Sequence, residues 1–261
     1  MEEALLAQEH LITRVKDLCR TDERLVAALV YGSFVNGEAD RHSDIEFWLF
    51  AGAEATLDER AWLDQIGTIQ HTVVNEFGTH VVFFPRLLRG EFHFTTEQNI
   101  PSVRTWPARS GPTDRMIVLD RTGALREALD SLPAQAALPT TPAEIDELCG
   151  RFANWLLLAH HVTQRGELLR AVDALAHTQR HLLWMARLAE NRTQHWLTPS
   201  RNAESDLPSE VVHAIHRTTA TADPDSLAAA LTATWALGRR YWQQLGHNVP
   251  ADLFADLDAC L

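Results

Sequence analysis

The sequence predicts an α+β fold, with a β-sheet and flanking helices in the N-terminal half and a helical bundle in the C-terminal half. Two observations support this fold class. The apolar run Leu25–Tyr31 ends in a Gly-Ser turn and is typical of a central strand. Thr141-Pro142-Ala143-Glu144 combines a capping residue, a proline suited to the first helical position and a capping-box glutamate. Beyond it, nearly every segment has a helical pattern.

Apolar periodicity and turn residues define the individual elements. In the N-terminal half they predict helices at 2–20 and 57–66, and a third helix that follows the break at 120–123 and ends at Leu132. They predict strands at 25–31, 44–50, 71–75, 80–84, 91–95 and 116–119. The segment from Pro133 to Pro142 is rich in Pro, Ala and Thr, as a linker is. Further helices are predicted at 142–165, 167–190, 208–220, 225–245 and after Pro250. We therefore expect two domains, 1–132 and 141–261.

Composition and charge narrow the class of protein. The chain has 261 residues, of which 46% are hydrophobic and 22% charged, so it is globular with ample core material. The net charge of −12 argues against a nucleic-acid partner, because proteins that bind the phosphate backbone usually present a basic face. A nucleotide remains compatible with this charge, since a divalent cation can neutralise its phosphates. An acidic surface also favours a cationic small substrate.

Several classes of protein are disfavoured by what the sequence lacks. Lys16 is the only lysine and no Gly-Lys-Ser/Thr loop is present, which excludes a P-loop enzyme. The cysteines Cys19, Cys149 and Cys260 are too scattered for a disulfide framework or a zinc site. The N-terminus is acidic, unlike a signal peptide, and no apolar run approaches the roughly 20 residues of a membrane span. We expect a cytoplasmic protein with no membrane partner.

The most informative stretch joins two short motifs, Tyr31-Gly32-Ser33-Phe34 and Ser43-Asp44-Ile45-Glu46-Phe47. Alternate residues of a strand point to the same face with Cα atoms roughly 6.5–7 Å apart, so Asp44 and Glu46 can converge on one divalent cation. The Gly-Ser turn lets a phosphate approach the backbone closely and adds a hydroxyl donor. A lone pair of alternate acids is more often a solvated strand face. The preceding strand and turn favour a site for a metal-bound nucleoside triphosphate.

This arrangement resembles the signature of the nucleotidyltransferase superfamily, which Gly32, Ser33, Asp44 and Glu46 match residue by residue. Together with Arg89-Gly90-Glu91-Phe92-His93-Phe94, it makes the whole chain similar to the larger lincosamide nucleotidyltransferases. The resemblance implies a nucleotidyltransferase-type mixed sheet with a C-terminal bundle. It implies transfer of AMP from Mg²⁺-ATP, or of a nucleotide from another triphosphate, to a hydroxyl of lincomycin or clindamycin. Pyrophosphate would leave, and the modified drug would no longer fit its ribosomal target.

The resemblance also implies roles for particular residues. Asp44 and Glu46 would hold Mg²⁺, a hard cation that prefers carboxylate oxygens. Gly32 and Ser33 would bind the β- or γ-phosphate. Glu91 would act as the general base. Alternation along its strand places Glu91 on a polar face, which is also what an exposed strand face requires, so the role as base comes from the resemblance.

Other side chains allow weaker predictions. Arg41 and Arg89 lie near the motifs and are candidates for phosphate binding, although surface arginines are common. No acidic or cysteine partner completes a zinc signature around the C-terminal histidines, which we interpret as core or surface residues: His160, His161, His177 and His181. Five tryptophans are expected to pack the bundle, one or two of them facing a cleft for an amphipathic drug: Trp155, Trp184, Trp196, Trp235 and Trp242.

Three alternatives remain open. The acceptor could be an aminoglycoside, since both drug classes carry basic amines. It could be a protein or a tRNA end, although the net charge argues against tRNA. The chain could also be a nucleotide-binding module without catalysis, which the set of Asp44, Glu46 and Glu91 disfavours. In the preferred interpretation the helical bundle shapes the acceptor pocket and forms the contact of a homodimer.

Overall fold

The structure, a computed structural model, describes residues 6–261. These residues divide between Ala136 and Ala137 into two compact units. The first contains a mixed sheet with helices, and the second is helical. The predicted α+β fold class is therefore confirmed. The division falls inside the proline-rich segment that the sequence marked as a linker, while the functional assignment of the two domains stays a prediction.

A six-stranded sheet with the order β3-β4-β5-β2-β1-β6 forms the centre of the first unit. Strands β2 and β5 pair in parallel, and the other neighbouring strands of this sheet pair antiparallel. Its strands are β1 (Leu25–Tyr31), β2 (Ile45–Ala51), β3 (His71–Val74), β4 (His80–Phe84), β5 (Leu88–Thr96) and β6 (Ile117–Asp120). The central strands β1 and β2 are almost entirely buried, as the apolar run at 25–31 predicts.

Short helical segments surround this sheet. They are α1 (Ala7–Thr21), α2 (Ser33–Asn36), α3 (Glu59–Leu63), α4 (Thr113–Met116) and α5 (Ala124–Asp130), with 3-10 turns at Pro85–Leu87 and Glu97–Thr105. Residues 2–5 of the predicted first helix lie outside the described residues. The sequence pattern did not reveal α2, α4 or the 3-10 turns, because single turns are too short to show helical periodicity.

Strand β5 is longer than predicted because it has partners on both sides. It pairs with β4 from Leu88 to Phe92 and with β2 from Gly90 to Thr96. Helix α3 is shorter than predicted. Asp58 caps it by accepting a hydrogen bond from Ala61 N at 2.9 Å. Pairing and capping therefore set bounds that periodicity alone did not give.

Six helices make up the second unit: α6 (Pro142–Gln164), α7 (Leu168–Ala189), α8 (Ala203–Asp206), α9 (Ser209–His216), α10 (Pro224–Leu245) and α11 (Ala251–Cys260). The predicted capping box is confirmed. Thr141 Oγ1 accepts from Glu144 N at 3.3 Å, and Glu144 Oε2 accepts from Thr141 N at 2.9 Å. Hydrogen bonds from the backbone of Thr141 and Thr140 hold the pKa of Glu144 below its usual value.

Tryptophans pack the helical unit as predicted. Trp235 and Trp242 are buried in its core, and Trp184 and Trp196 pack against that core while partly exposed. Trp155 stacks on His177 with ring centroids 4.2 Å apart.

The C-terminal histidines form ordinary hydrogen-bonded and ring contacts. His181 shares a hydrogen bond with the carbonyl of His177, one helical turn away. None of the helices within residues 6–261 combines the length and apolarity that a membrane span requires.

A buried arginine organises the connection between α7 and α8. The side chain of Arg187 is fully buried and donates to the carbonyls of Pro199, Arg192 and Arg201 and to Asp206 Oδ2 at 2.9 Å. Burial alone would raise the pKa of Asp206, but the hydrogen bonds from His195 and Arg187 outweigh it and lower that pKa. The sequence pattern gave no sign of this network, because Arg187 occupies a position typical of a surface residue at a helix C-terminus.

Replacing Arg187 by Met is expected to lower the free energy of unfolding by about 3–5 kcal/mol, because Asp206 and three carbonyls lose their buried donor. Urea denaturation followed by circular dichroism measures the change. The matched control is Arg170→Met, which breaks an exposed pair with Glu167 and is expected to change stability by no more than about 0.5 kcal/mol. Equal effects of the two substitutions would contradict this account of the helical unit.

Candidate active site

The pairing of the central strands sets carboxylates in a row. The parallel register places Glu46 on β2 opposite Glu91 on β5. The antiparallel register places Tyr31 at the end of β1 opposite Glu46. Residues paired in this way project from the same face of a sheet. The structure therefore brings the predicted acids of two distant motifs together, and Asp44 directly precedes β2 beside them.

Gly32 lies directly against the carboxylate of Glu46. A Cβ atom at this position would be 1.7 Å from Glu46 Oε2. The backbone of Gly32 has φ +78° and ψ −152°, a region that is essentially restricted to glycine. Helix α2 starts immediately afterwards, and Ser33 is buried at its first position. The Gly-Ser turn and the acidic strand are thus in direct contact.

A hydrogen-bonded turn positions Asp44. Asp40 Oδ1 accepts from His42 N at 2.8 Å, and Ser43 Oγ accepts from Asp40 N at 2.9 Å. Gln8 on α1 is almost fully buried, and its amide donates to the carbonyl of Ser43 at 2.9 Å. Sequence reasoning missed Gln8. The available signal was a polar residue on the apolar face of an amphipathic helix.

Arg89 bridges two of the carboxylates. Its Nη1 donates to Asp44 Oδ2, and its Nη2 donates to Glu91 Oε1. The side chains of Arg89, Asp44 and Glu91 are 39%, 32% and 20% exposed, so solvent and ligands can reach them. Arg41, the predicted phosphate ligand, lies on the exposed turn with its Nε 2.9 Å from His42 Nε2. Of the two candidate arginines, Arg89 is the one in contact with the acids.

An aromatic cluster adjoins the carboxylates on the same sheet face. Trp48 and His93 are opposite each other on β2 and β5, and their rings stack with centroids 4.4 Å apart. His93 Nε2 is 3.1 Å from the hydroxyl of Tyr31, and His93 Nδ1 is 3.0 Å from Thr79 Oγ1. Trp106 meets Trp48 edge to face at 5.5 Å. Sequence reasoning gave Tyr31, Trp48 and Trp106 no role at the site. The available signal was large aromatics at alternate positions beside the acids.

Electrostatics keep this cluster neutral. Burial raises the pKa of Tyr31, and the charges of Glu46 and Glu91 raise it further. Burial lowers the pKa of His93, against a smaller opposite effect of Glu91. The neutral imidazole of His93 shares one hydrogen bond with the hydroxyl of Tyr31 and another with Thr79 Oγ1. The cluster thereby forms an uncharged wall next to the acidic row of Asp44, Glu46 and Glu91.

The carboxylates fit a divalent cation that is shared with a triphosphate. Mg²⁺ usually takes one or two protein carboxylates and completes its shell with phosphate oxygens and water. Within residues 6–261, no group of three His, Cys, Asp or Glu side chains is arranged as a complete metal site. Asp44 and Glu46 would thus supply only part of the coordination, which suits a metal that arrives with a nucleotide.

Comparison with known proteins gives the class of protein. Residues 141–257 match the family model described as lincosamide nucleotidyltransferase-like, C-terminal domain. Together with the Gly-Ser turn and the acidic strand in the first unit, this match supports a protein of the nucleotidyltransferase class. More narrowly, the similarity to lincosamide nucleotidyltransferase-like proteins covers the C-terminal residues 141–257. A search of curated proteins finds no match.

Solved structures resemble the chain at low identity. An aminoglycoside 6-adenyltransferase from Bacillus subtilis is 13% identical, with 98% of this chain and 97% of that chain covered and a TM-score of 0.44. A nucleotidyltransferase-like protein from Exiguobacterium sibiricum is 11% identical, with 97% and 89% covered and a TM-score of 0.37. A CCA-adding enzyme from Thermotoga maritima, complexed with tRNA, is 12% identical, with 97% and 72% covered and a TM-score of 0.32. TM-scores below 0.5 support no inference about activity.

Replacing Gly32 by Ala is expected to lower kcat/KM for nucleotidyl transfer by at least about 10²-fold, because the new methyl group displaces the Glu46 carboxylate. Steady-state kinetics measure the loss. Gly37→Ala is the matched control, since Gly37 has a similar φ of +83° but no atom within 4 Å of its Cβ position. Gly37→Ala therefore introduces the backbone strain without a steric clash. If Gly32→Ala is no more impaired than Gly37→Ala, the contact with Glu46 does not matter for activity.

Proposed function

We propose that this protein transfers AMP from Mg²⁺-ATP to a hydroxyl group of a lincosamide such as lincomycin or clindamycin, which confers resistance to the drug. The observation that carries the proposal is the cross-strand placement of Glu46 and Glu91, with Gly32 against Glu46. These contacts join the Gly-Ser turn, which we propose binds phosphate, to the carboxylates of Glu46 and Glu91. The family match of the C-terminal half supports a lincosamide as the acceptor class.

Nucleotide binding would use the turn and the start of β2. Gly32 has no side chain, so a phosphate oxygen can approach its backbone, and Ser33 adds a hydroxyl at the start of α2. Asp44 and Glu46 would hold Mg²⁺ together with the triphosphate oxygens. When bound there, the cation offsets the negative charge that develops at the α-phosphoryl group. Arg41 on the neighbouring turn is proposed as an outer contact to the phosphates.

Glu91 would receive the proton in the transfer step. The acceptor hydroxyl oxygen attacks the α-phosphorus and forms the new P–O bond, while its proton passes to the Glu91 carboxylate. The bond from the α-phosphorus to the oxygen bridging to the β-phosphate breaks, and pyrophosphate leaves with that electron pair. Glu91 is the neighbour of Glu46, the proposed metal ligand, across the strand pair, so the base and the reacting phosphorus would lie on the same face of the sheet.

An aminoglycoside acceptor is the second candidate. The net charge of −12 favours a polycationic drug at least as much as it favours a lincosamide with one basic amine. The neutral aromatic wall beside the carboxylates, formed by Trp48, His93 and Trp106, instead favours an amphipathic acceptor with an apolar side. That the helical unit shapes the acceptor pocket and forms the contact of a homodimer stays a prediction.

Mass spectrometry after incubation with Mg²⁺-ATP and a mixed panel of drugs tests the activity and the acceptor class together. We expect one adenylyl group on lincomycin or clindamycin and one equivalent of pyrophosphate. An adduct on an aminoglycoside alone would retain the chemistry and replace the acceptor class. ATP binding without an adduct on any drug would contradict the proposed activity on antibiotics.

Replacing Glu91 by Gln is expected to lower kcat by about 10²–10⁴-fold with little change in the affinity for the triphosphate, because the amide cannot accept the hydroxyl proton. Single-turnover kinetics together with equilibrium nucleotide binding separate these two quantities. The control is Glu23→Gln, which removes an exposed carboxylate from the turn before β1. Retention of most of kcat in Glu91→Gln would show that the proton leaves by another route.

A further inference from the structure

The acidic row places like charges directly opposite each other. Glu46 and Glu91 are cross-strand partners, and Asp44 lies next to them. Opposed like charges destabilise a strand pair unless a cation is present between or beside them. The described structure supplies this cation from the chain itself, because the guanidinium of Arg89 contacts both Asp44 and Glu91.

The strand geometry directs Arg89 toward these partners. Arg89 and Glu91 are two residues apart on β5 and therefore project from the same face. Gly90 lies between them and opposite Ile45, and a Cβ atom there would be 2.8 Å from Phe92 Cε2 and 3.0 Å from Ile45 Cγ1. The absence of a side chain at Gly90 lets β5 pack closely against its neighbours. The sequence Arg89-Gly90-Glu91 thus places the guanidinium of Arg89 on the same sheet face as the carboxylate of Glu91.

Arg89 and a divalent cation would use the same ligand. Arg89 Nη1 bonds to Asp44 Oδ2, and Asp44 is one of the two residues proposed to hold the metal. The guanidinium and a metal ion bound to the same Asp44 carboxylate would be close enough to repel each other. The metal therefore has to weaken or displace the contact between Arg89 and Asp44. A triphosphate relieves this conflict, since it adds negative charge and gives the guanidinium phosphate oxygens as new partners.

We infer that Arg89 is a positioning residue that takes the place of the metal in the nucleotide-free enzyme and gives it up when the metal and the triphosphate bind together. Arg89 holds Asp44 and Glu91 in place, opposes binding of the metal alone, and transfers from Asp44 to the incoming phosphates. This inference rests on the proposed function, because it takes Asp44 as a metal ligand. It adds an order to the binding steps: the metal enters with the nucleotide rather than before it.

The test is the affinity for Mn²⁺, a spectroscopic substitute for Mg²⁺, measured by electron paramagnetic resonance on the full chain. Arg89→Met is expected to bind Mn²⁺ without nucleotide about tenfold more tightly than the wild type, because the competing cation is gone. The same variant is expected to bind a non-hydrolysable Mn²⁺-triphosphate analogue about tenfold more weakly, because a phosphate contact is lost. A purely structural role for Arg89 would weaken both.

Three further variants make the result decisive. Arg104→Met removes a charge from an exposed pair with Glu127 in the same unit and is expected to leave both affinities unchanged. Arg89→Lys retains the charge but not the fork, and we expect an intermediate Mn²⁺ affinity, which also covers the case in which Arg89→Met fails to fold. Asp44→Asn is expected to lose Mn²⁺ binding. If Asp44→Asn binds Mn²⁺ normally, the proposed metal site is wrong. If Asp44→Asn loses Mn²⁺ binding as expected but neither Arg89→Met nor Arg89→Lys gains Mn²⁺ affinity, the proposed role of Arg89 is wrong.

Discussion

The parallel pairing of β2 with β5 is the constraint on which the candidate site depends. It brings Glu46 and Glu91 from motifs far apart in the sequence onto adjacent positions of one sheet face. Hydrogen bonds of the backbone and the buried Ile45, Phe47 and Phe92 beneath the acids hold this register. A slip of one residue would move the carboxylates to the apolar face. The strand pairing and packing that stabilise the core therefore also hold the carboxylates in their positions.

The opposed carboxylates concentrate negative charge, which a nearby cation stabilises. Arg89 is this cation in the described structure, and a metal with its nucleotide would be the cation during turnover. The neighbouring Tyr31, Trp48 and His93 remain uncharged, so they add no charge to the row of Asp44, Glu46 and Glu91. The site thus combines a charged row, the proposed binding site of the metal and the triphosphate, with an apolar wall beside it. This combination is what a transferase needs to bring an anionic donor and an amphipathic acceptor together.

The sequence predicted the fold class and the positions of the strands along the chain because apolar runs report burial directly. It placed Gly32, Asp44, Glu46 and Glu91 in one site through the Gly-Ser and acidic motifs, and the structure brings Gly32, Glu46 and Glu91 together. It named Arg89 only as a candidate for phosphate binding, and it did not predict Gln8 under the turn, the contacts of Arg89 with the acids or the buried Arg187. Each of these acts through contacts with residues distant in the sequence, which periodicity does not encode. Arg41 was chosen by proximity in sequence and lies on the exposed turn beside His42, and its contact with the phosphates stays a prediction.

Pyrophosphate release in the Glu46→Gln variant tests the central claim most directly. Glutamine keeps the shape of the side chain against Gly32 but removes the negative charge that the metal requires. With Mg²⁺-ATP and lincomycin, we expect the wild type to release one pyrophosphate per adenylylated drug. We expect the variant to be slower by at least about 10²-fold. An unchanged rate in Glu46→Gln would show that the acidic row does not hold the catalytic metal and would contradict the mechanism.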